Sequence, residues 1–583
     1  MDQNGERNMN KPTELKFGNV QGFKEKILAV LTDSSTPLRN KLSVMGFNWN
    51  PLGRFWVRSE GFQPHVIDVL RSLGVHPSDS TLNEYNKRSL PPREFNNNFN
   101  SKMLLDYQKE SLDFCKKTGS GIVALDIGLG KTIVGIGYAD HLGLRNLVVC
   151  PASLRNQWYN ELVKFNFEEP RRIIINGTKT KRGKQWDLAQ ECQYVICSYD
   201  LLRQSEDLKR AKLYLNDGLL ICDEIMRVKT EKSKRTKAIM DLRESASFAI
   251  GLTGTPIENN LGEFYTILNI ASPGFLPSYD RFAELFLVRE MRQGMGGKSY
   301  WIIRGEKNVD EFRDLIKSLV IRREKRECLC LPPSSIIIRN VELSKEQKRI
   351  EKKLFELARE DPSNYLNNFK YFTYARENII SPDLLPFNFK ELLREGQTKL
   401  DLWTELDLVK ENSLEYVPCC RVQELINGKI KPEDIELTPR LQEIADIIEE
   451  SGREKIIIYS PYVKALELIK RCILKEPCSM LIGGCDTEYE LKQFREDTRV
   501  LLMSSAGEEG HNLQMSSLMI IVDKPYNPAK LSQLMGRIER KGQERPMTFY
   551  ELNSPSIIEA RVNAILERKE KLSERVLAQR VMT

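Results

Sequence analysis

Short apolar runs recur along two parts of the chain, and segments with helical spacing separate them. The first series begins near residue 102 and the second at Lys455. Apolar runs of this kind between helical segments are typical of parallel strands in a sheet covered on both faces. The pattern therefore predicts an α/β protein with two parallel-sheet domains. The runs are GIVAL, NLVVC, RIIIN, YVICS, LLICD and FAIGLT in the first domain, and KIIIYS, SMLIGG, RVLLMSS and LMIIVDKP in the second.

The sequence around the two sheets predicts further parts. Bulky and polar residues alternate around an Asn-Pro-Leu-Gly turn between residues 46 and 58, which indicates a β-hairpin, and residues 66–74 have helical spacing. The predicted division is a polar lead-in (1–45), a small ββα accessory module (46–98), a first lobe (99–275), helical protrusions with an inter-lobe connection (276–438), a second lobe (439–556) and a C-terminal brace helix (557–583).

The segment GIVALDIGLGKT indicates a phosphate-binding loop between a strand and a helix. Gly128 and Gly130 allow backbone N–H groups to approach phosphate oxygens closely. Lys131 is expected to reach the β- and γ-phosphates, and the Thr132 hydroxyl to bind Mg²⁺. The spacing departs from the usual motif, since Asp126 takes the place of its first glycine. The alternative is a chance Gly-Lys-Thr turn.

The segment LLICDEIM indicates a second half of the same site. An apolar strand that ends in two acids places Asp223 and Glu224 at the carboxyl edge of the sheet, where open α/β sheets bind ligands. Asp223 is expected to hold Mg²⁺, and Glu224 to orient or deprotonate the attacking water as a catalytic residue beside Lys131. The alternative is a solvated acidic loop.

Composition narrows the class of protein but does not identify it. With 583 residues the chain is too long for one core, and 41% hydrophobic with 29% charged residues disfavours a disordered or a membrane protein. The N-terminal segment has no apolar stretch, so we expect no secretory signal. A net charge of +7 is too small at this length to indicate a nucleic-acid partner by itself.

The twelve cysteines are expected to be ordinary reduced thiols. The C-x-C pair Cys328 and Cys330 and the adjacent Cys419 and Cys420 have poor spacing for zinc, and none of the four histidines lies near them in sequence.

Further motifs follow the phosphate loop and the acids along the chain. They are GLTGTPIENNLGEFYTILNIASPGFL, LVIRREKRECLCLPPSSIIIRNVELSKEQKRI, LLMSSAGEEGHNLQMSSLMIIVDKP and QLMGRIERKGQ. Over about residues 102–575 the chain thus resembles the Swi/Snf family of helicase-like ATPases in helicase superfamily two. The resemblance implies two RecA-like parallel-sheet lobes with helical insertions, beside the small N-terminal α+β module. It also implies ATP hydrolysis with Mg²⁺ and duplex DNA as the partner.

The resemblance assigns roles to individual residues. Gln108 matches the glutamine that reads adenine, and residues 254–255 match the motif that couples the nucleotide pocket to lobe movement. Gln533 opens the motif in which Arg537 and Arg540 match arginine fingers. In the family these arginines come from the second lobe and neutralise charge on the γ-phosphoryl group.

Three positions depart from the family pattern. Met226 stands where the acidic box usually ends in histidine, which puts the coupling through that position in doubt. Glu508 replaces a customary glycine and His511 a customary apolar residue. A carboxylate at Glu508 either weakens the grip on DNA or acts as a gate, and the sequence does not choose between them.

The resemblance also places DNA contacts in loops at the sheet edges, where small hydroxyls and backbone amides position a phosphate without reading its base. Two basic runs, 171–184 and 321–326, either add phosphate contacts or form solvated faces. The predicted DNA-binding residues are Pro151, Ser153, Ser198, Ser504 and Asn512.

The N-terminal module weakly resembles the accessory modules that precede the motor in annealing helicases. In that interpretation Trp49, Arg54 and Trp56 stack on bases and pair with phosphate at a DNA junction. In the alternative, the tryptophans pack against the module's own helix.

The sequence thus predicts an ATP-driven duplex-DNA translocase that acts in repair, recombination or replication-fork processing. The alternatives are a strand-separating DNA or RNA helicase and a nucleic-acid-binding scaffold with an impaired ATPase. The expected partners are DNA and recombination or replication proteins, with no membrane partner. A monomer is expected, in the cytoplasm, or in the nucleus of a eukaryotic host.

Overall fold

The computed structural model describes most of the chain from residue 98 onward. The described ranges are 98–293, 299–360, 365–386, 420–507 and 512–577, together with the short segments 14–18, 27–31, 42, 48–50, 55–58, 75–77 and 94–95. The chain divides into a first unit (1–328 and 571–583) and a second unit (329–570). No helix within these described ranges is both long and apolar enough to cross a lipid bilayer.

A five-stranded sheet begins the first unit. Its order is β3-β4-β2-β1-β5, and β3 and β4 form the antiparallel hairpin that the sequence predicts, with Trp49 opposite Trp56. The predicted helix at 66–74 and Arg54 lie outside the described residues. The strands are β1 Glu14–Gly18, β2 Ile27–Leu31, β3 Asn48–Asn50, β4 Phe55–Arg58 and β5 His76–Pro77.

This sheet corrects the N-terminal domain boundary. Residues 1–45 were expected to be a polar lead-in, but β1 pairs with β2, and β2 pairs with β4 of the hairpin. The boundary predicted at residue 46 therefore lies inside a sheet. The strand β2 (ILAVL) is a short apolar run, and such a run cannot be distinguished from part of a helix by its periodicity.

A seven-stranded parallel sheet forms the first lobe, in the order β14-β6-β11-β10-β7-β9-β8. The six predicted strands are present, and the central ones are buried along their whole length because helices cover both faces. The strands are β6 Gly121–Leu125, β7 Asn146–Cys150, β8 Arg172–Ile174, β9 Tyr194–Ser198, β10 Gly218–Asp223, β11 Ala246–Thr253 and β14 Val320–Arg323.

Local sequence signals set the ends of the first unit's helices. The Asn260 side chain accepts a hydrogen bond from the Glu263 N–H at one helix start, and Gly143, with φ of 65°, ends another. The helices are α1 Asp106–Thr118, α2 Lys131–Leu142, α3 Arg155–Lys164, α4 Lys179–Ala189, α5 Ser205–Leu215, α6 Lys234–Arg243, α7 Leu261–Ala271, α8 Tyr279–Phe286, α9 Val309–Ile316 and α10 Lys325–Cys328.

The region 276–438 was expected to be mostly helical, but its described residues include four strands. β12 (Leu287–Gln293) and β13 (Ser299–Glu306) form a separate antiparallel hairpin. The strand β14 joins the first-lobe sheet, and β15 (Ser334–Asn340) joins the sheet of the second unit. Both lobes therefore extend beyond the boundaries that the sequence predicted.

The second unit contains a six-stranded parallel sheet in the order β15-β20-β19-β16-β18-β17. The four strands that the sequence predicted are present, and β15 and β20 extend the sheet on one side. The remaining strands are β16 Ile456–Tyr459, β17 Cys478–Leu481, β18 Val500–Met503, β19 Leu518–Ile521 and β20 Met547–Asn553. The helices are α11 Lys345–Glu360, α12 Tyr365–Ile380, α13 Arg421–Ile426, α14 Pro439–Glu450, α15 Val463–Cys472, α16 Thr487–Glu496, α17 Pro528–Met535 and α18 Ile557–Leu577.

A buried ion pair fixes the start of α18 in the second unit. Arg440 is 1% exposed and donates to Glu559 Oε1 at 2.7 Å, to Ser554 Oγ at 2.8 Å and to the Val522 carbonyl at 2.9 Å. Removing one partner of such a pair leaves an uncompensated charge in the interior, which is more costly than losing a surface pair.

We expect Arg440→Met to destabilise the second unit by about 3–5 kcal/mol, because Glu559 would stay buried without its cation. Amide hydrogen exchange followed by mass spectrometry measures this as faster exchange in β19, β20 and α18. The control is Arg471→Met, which removes the partly exposed pair with Glu467 at 3.3 Å and should cost at most about 1 kcal/mol. Equal effects of the two variants would contradict the role of Arg440.

Candidate nucleotide site

The loop between β6 and α2 has the backbone that phosphate binding requires. Gly128 and Gly130 have φ of 92° and 75°, a conformation that side-chain-bearing residues rarely adopt. A Cβ atom at Gly130 would lie 2.6 Å from Gln108 Nε2. The helix α2 starts at Lys131, so its first N–H groups border this loop.

Gln108 is held against the same loop. Its side chain is 6% exposed, its Nε2 donates to the Leu129 carbonyl at 2.9 Å, and its Oε1 accepts from the Leu105 N–H at 2.9 Å. The structure therefore brings Gln108 to the phosphate loop, as the resemblance implies. Its role as the reader of adenine stays a prediction.

The contacts of Asp126 give a structural reason for an aspartate in place of the first glycine of the usual loop motif. Its Oδ1 pairs with Arg322 Nη2 at 2.6 Å, and its Oδ2 accepts from the Lys325 N–H at 2.8 Å. Arg322 also donates to the Gly254 carbonyl at 3.1 Å. The carboxylate therefore ties the phosphate loop to the edge strand β14, which a glycine could not do.

These contacts bear on the basic run 321–326. Its first two arginines carry internal ion pairs, since Arg322 pairs with Asp126 and Arg323 pairs with Glu110 at 2.8 Å. Arg326 is 82% exposed. Arg322 and Arg323 therefore form structural ion pairs, and phosphate contacts from this run stay a prediction.

Asp223 ends β10 and is 5% exposed. Three donors surround it. Trp158 Nε1 donates to Oδ2 at 2.8 Å, the Glu224 N–H donates to Oδ1 at 3.0 Å, and the Tyr199 hydroxyl donates to the main-chain carbonyl at 2.8 Å. The pKa of the Asp223 carboxyl is raised because the group is buried, and the positive charge of Lys131 and the Trp158 hydrogen bond offset only part of this shift.

Glu224 adopts a strained backbone conformation beside Lys131. Its φ of 50° and ψ of 55° are left-handed, which is unusual for a residue with a side chain. Its Oε1 lies 3.9 Å from Lys131 Nζ, and that Nζ lies 3.5 Å from the Leu125 carbonyl. This backbone conformation places the Glu224 carboxylate next to the Lys131 ammonium group at the edge of the phosphate loop.

The residues present fit a nucleotide with Mg²⁺. Gly128 and Gly130 give the loop its left-handed backbone, and the Lys131 ammonium group lies beside the Glu224 carboxylate at its edge. Thr132, which is half-buried in the first turn of α2, and Asp223 offer a hydroxyl and a carboxylate. Such oxygen ligands are the ones that Mg²⁺ prefers.

The Gly254–Thr255 motif adjoins the loop, as the resemblance implies. A Cβ atom at Gly254 would lie 2.7 Å from Ile127 Cγ1 and 3.4 Å from Lys131 Nζ. Met226 instead is 5% exposed and packs in the apolar core of the first lobe. The family's customary histidine is therefore replaced by a side chain that contributes packing and no polar contact to the site.

The second unit contains the other predicted nucleotide residues. Gln533 is half-buried on α17, and Arg537 is 4% exposed. Arg540 donates to Asn512 Oδ1. Their roles as arginine fingers and motif opener stay predictions, and Glu508 and His511 lie outside the described residues.

The predicted DNA-binding residues differ in exposure. Ser153 and Asn512 are exposed, whereas Pro151, Ser198 and Ser504 are buried. The Ser504 hydroxyl lies 3.4 Å from the Leu481 carbonyl to which it donates. Side-chain contacts to phosphate are therefore open to Ser153 and Asn512 in this structure, and at the buried positions only the backbone is a candidate.

Sequence reasoning missed three residues that shape the site: Trp158, Tyr199 as a hydrogen-bond donor, and Arg322. Trp158 lies in α3, shortly after the predicted DNA-contact residues Pro151 and Ser153. The one sequence signal for Trp158 is its helical spacing from Leu162, which marks a buried face of α3. That spacing indicates burial but not the partner.

Two family models match the chain. A model of the SNF2-related domain matches residues 81–381, and a model of the helicase conserved C-terminal domain matches residues 439–542. Among solved structures, the Sulfolobus solfataricus SWI2/SNF2 ATPase core in complex with double-stranded DNA covers 84% of this chain and 95% of its own, with 20% identity and a TM-score of 0.35.

Curated relatives share about a quarter of their aligned residues with this chain. The uncharacterized ATP-dependent helicase YqhH of Bacillus subtilis is 24% identical over 80% of this chain and 77% of its own. The ATP-dependent DNA helicase DDM1 of Arabidopsis thaliana is 27% identical over 79% and 59%, and the DNA repair and recombination protein RDH54 of Saccharomyces cerevisiae 26% over 78% and 49%. The chain thus spans between half and three quarters of these relatives.

We expect Lys131→Met to weaken the binding of a fluorescent ATP analogue at least tenfold, about 1.4 kcal/mol, because the ammonium group is the cation that borders the phosphate loop. The control is Lys109→Met in α1, where the exposed lysine pairs with Asp106, and its affinity should stay that of the unaltered protein. Unchanged affinity in Lys131→Met would remove the phosphate-loop assignment.

Proposed function

Because the chain belongs to the SNF2-related family, whose model matches more than half of its length, we propose that it is an ATP-dependent translocase on double-stranded DNA. The observation that carries the proposal is the nucleotide site of the first lobe. There Lys131, Asp223 and Glu224 meet at the carboxyl edge of a parallel sheet, next to a left-handed glycine loop.

The chemistry we propose is hydrolysis of the γ-phosphate by water. Lys131 and the first N–H groups of α2 hold the phosphates, and Glu224 orients or deprotonates the attacking water. Thr132 and Asp223 would hold Mg²⁺, which when bound neutralises charge on the phosphate oxygens. The Trp158 indole and the Glu224 N–H each donate to one oxygen of Asp223, so the orientation of this carboxylate is fixed.

The proposed substrate surface is a DNA backbone. Two of the relatives are named as a DNA helicase and a DNA repair and recombination protein, and the exposed Ser153 and Asn512 are suited to phosphate contact. Because such contacts release counterions, affinity for duplex should fall steeply as salt concentration rises. We propose repair, recombination or replication-fork processing as the setting.

We expect duplex DNA to stimulate ATP hydrolysis more than single-stranded DNA or RNA does. Steady-state ATPase assays without nucleic acid and with single-stranded, duplex and forked DNA or RNA measure this. Glu224→Gln should lower the stimulated rate about 100-fold or more while nucleotide binding persists, because it removes the carboxylate that handles water.

Glu231→Gln is the matched control, since Glu231 is an exposed glutamate a few residues further along, and it should retain the full rate. Stimulation by RNA alone would overturn the proposed substrate. Hydrolysis that is insensitive to Glu224→Gln under all conditions would overturn the proposed enzyme in favour of a nucleic-acid-binding scaffold.

A further inference from the structure

Asp223 is connected to both predicted DNA-contact segments of the first lobe by aromatic hydrogen-bond donors. Trp158 lies in the helix that follows the segment 151–153, and Tyr199 directly follows Ser198. Both aromatic side chains are buried, with 1% and 2% exposure. Each side chain donates a hydrogen bond to Asp223, the proposed Mg²⁺ ligand at the end of β10.

Trp158 contacts two elements of the nucleotide site. Its indole N–H donates to Asp223 Oδ2 at 2.8 Å. A Cβ atom at Gly135 would lie 3.2 Å from Trp158 Cη2, so the ring edge packs directly on the backbone of α2, the helix that starts at Lys131. A shift of α3 therefore moves the indole N–H that donates to Asp223, and it changes the packing of the ring against α2.

The route from the surface to Trp158 is short. The exposed Ser153 lies in the helical turn Ala152–Leu154, which runs directly into α3 at Arg155. Trp158 lies about one turn further along this helix, at 1.5 Å rise per residue. Since a helix moves as a unit, a displacement caused by phosphate binding at Ser153 would also displace the indole of Trp158.

Tyr199 makes the second connection across the sheet. In the strand order β10-β7-β9, the strand β7 separates β9 from β10. The Tyr199 hydroxyl reaches over the end of β7 and donates to the Asp223 carbonyl at 2.8 Å. This bond fixes the backbone at the point where β10 ends and the strained Glu224 begins.

We propose that Trp158 and Tyr199 are positioning residues that transmit DNA binding at residues 151–153 and 198–199 to the carboxylates of the ATP site. This inference rests on the proposed function and names a route by which DNA stimulates hydrolysis. Partners that orient a metal ligand typically change activity or metal affinity 10–100-fold when they are removed. Coupling between two binding sites is reciprocal, so bound nucleotide changes DNA affinity by the same factor.

The test uses variants of the full chain that remove a donor and keep a ring. Trp158→Phe removes the indole N–H, and Tyr199→Phe removes one oxygen atom. The matched controls are Trp186→Phe and Tyr214→Phe, because Trp186 donates to Asp207 at 2.9 Å and Tyr214 to the Gln193 carbonyl at 3.0 Å, both buried in the same lobe.

Two quantities are measured for each variant: the ATPase rate with and without duplex DNA, and the dissociation constant for duplex with and without a non-hydrolysable ATP analogue. Trp158→Phe should lower the DNA-stimulated rate about tenfold more than the DNA-free rate. In this variant the ratio of the dissociation constants for duplex measured with and without the ATP analogue should approach one. Tyr199→Phe should act in the same direction. The two controls should keep the DNA stimulation of the ATPase rate and the effect of the nucleotide on DNA affinity that the unaltered protein has.

The outcomes separate this inference from the proposed function. If duplex does not stimulate the unaltered protein, the proposed function and the inference both fall. If duplex stimulates it and both variants keep the stimulation ratio and the nucleotide–DNA coupling, the inference alone falls. Equal loss of the two rates in both variants would likewise overturn it, because that result reports support of the site without transmission from DNA.

Discussion

The buried carboxylate of Asp223 is the constraint around which the first lobe is arranged. Moving an ionised carboxylate out of water costs several kcal/mol unless hydrogen bonds or a cation compensate it. Trp158 and the Glu224 N–H occupy its two oxygens, and Lys131 supplies the nearby positive charge. These partners come from three different segments, so the helix α3, the strand β10 and the phosphate loop must be placed together for the charge to be tolerated.

The same constraint recurs in the second unit. Asp523, just beyond the end of β19, is 5% exposed and pairs with Arg376, whose guanidinium lies 4.3 Å from the ring centre of Tyr526. Burial raises the pKa of the Asp523 carboxyl, and Arg376 opposes that shift. In both lobes a carboxylate at the carboxyl edge of the sheet is thus held by a long side chain from another part of the chain.

The central strands were predictable because strands buried on both faces must be continuously apolar, and β6, β7, β9 and β10 are. The edge strands β8 and β17 were predicted from the apolar runs RIIIN and SMLIGG, but the edge strands β14 and β15 were not. β14 is four residues long and contains two arginines, and β15 is mostly exposed. Their place is decided by pairing with a distant strand, which is why the predicted lobe boundaries were too narrow.

The residues of the candidate nucleotide site could be predicted from the sequence alone, since the glycine loop, Lys131 and the paired acids are local motifs whose backbone requirements fix the residue types. The tertiary structure alone decided that Trp158 and Tyr199 hold Asp223, and that Asp126 ties the loop to Arg322. A hydrogen bond between residues far apart in the chain leaves no spacing in the sequence, because its geometry exists only once the strands and helices have packed.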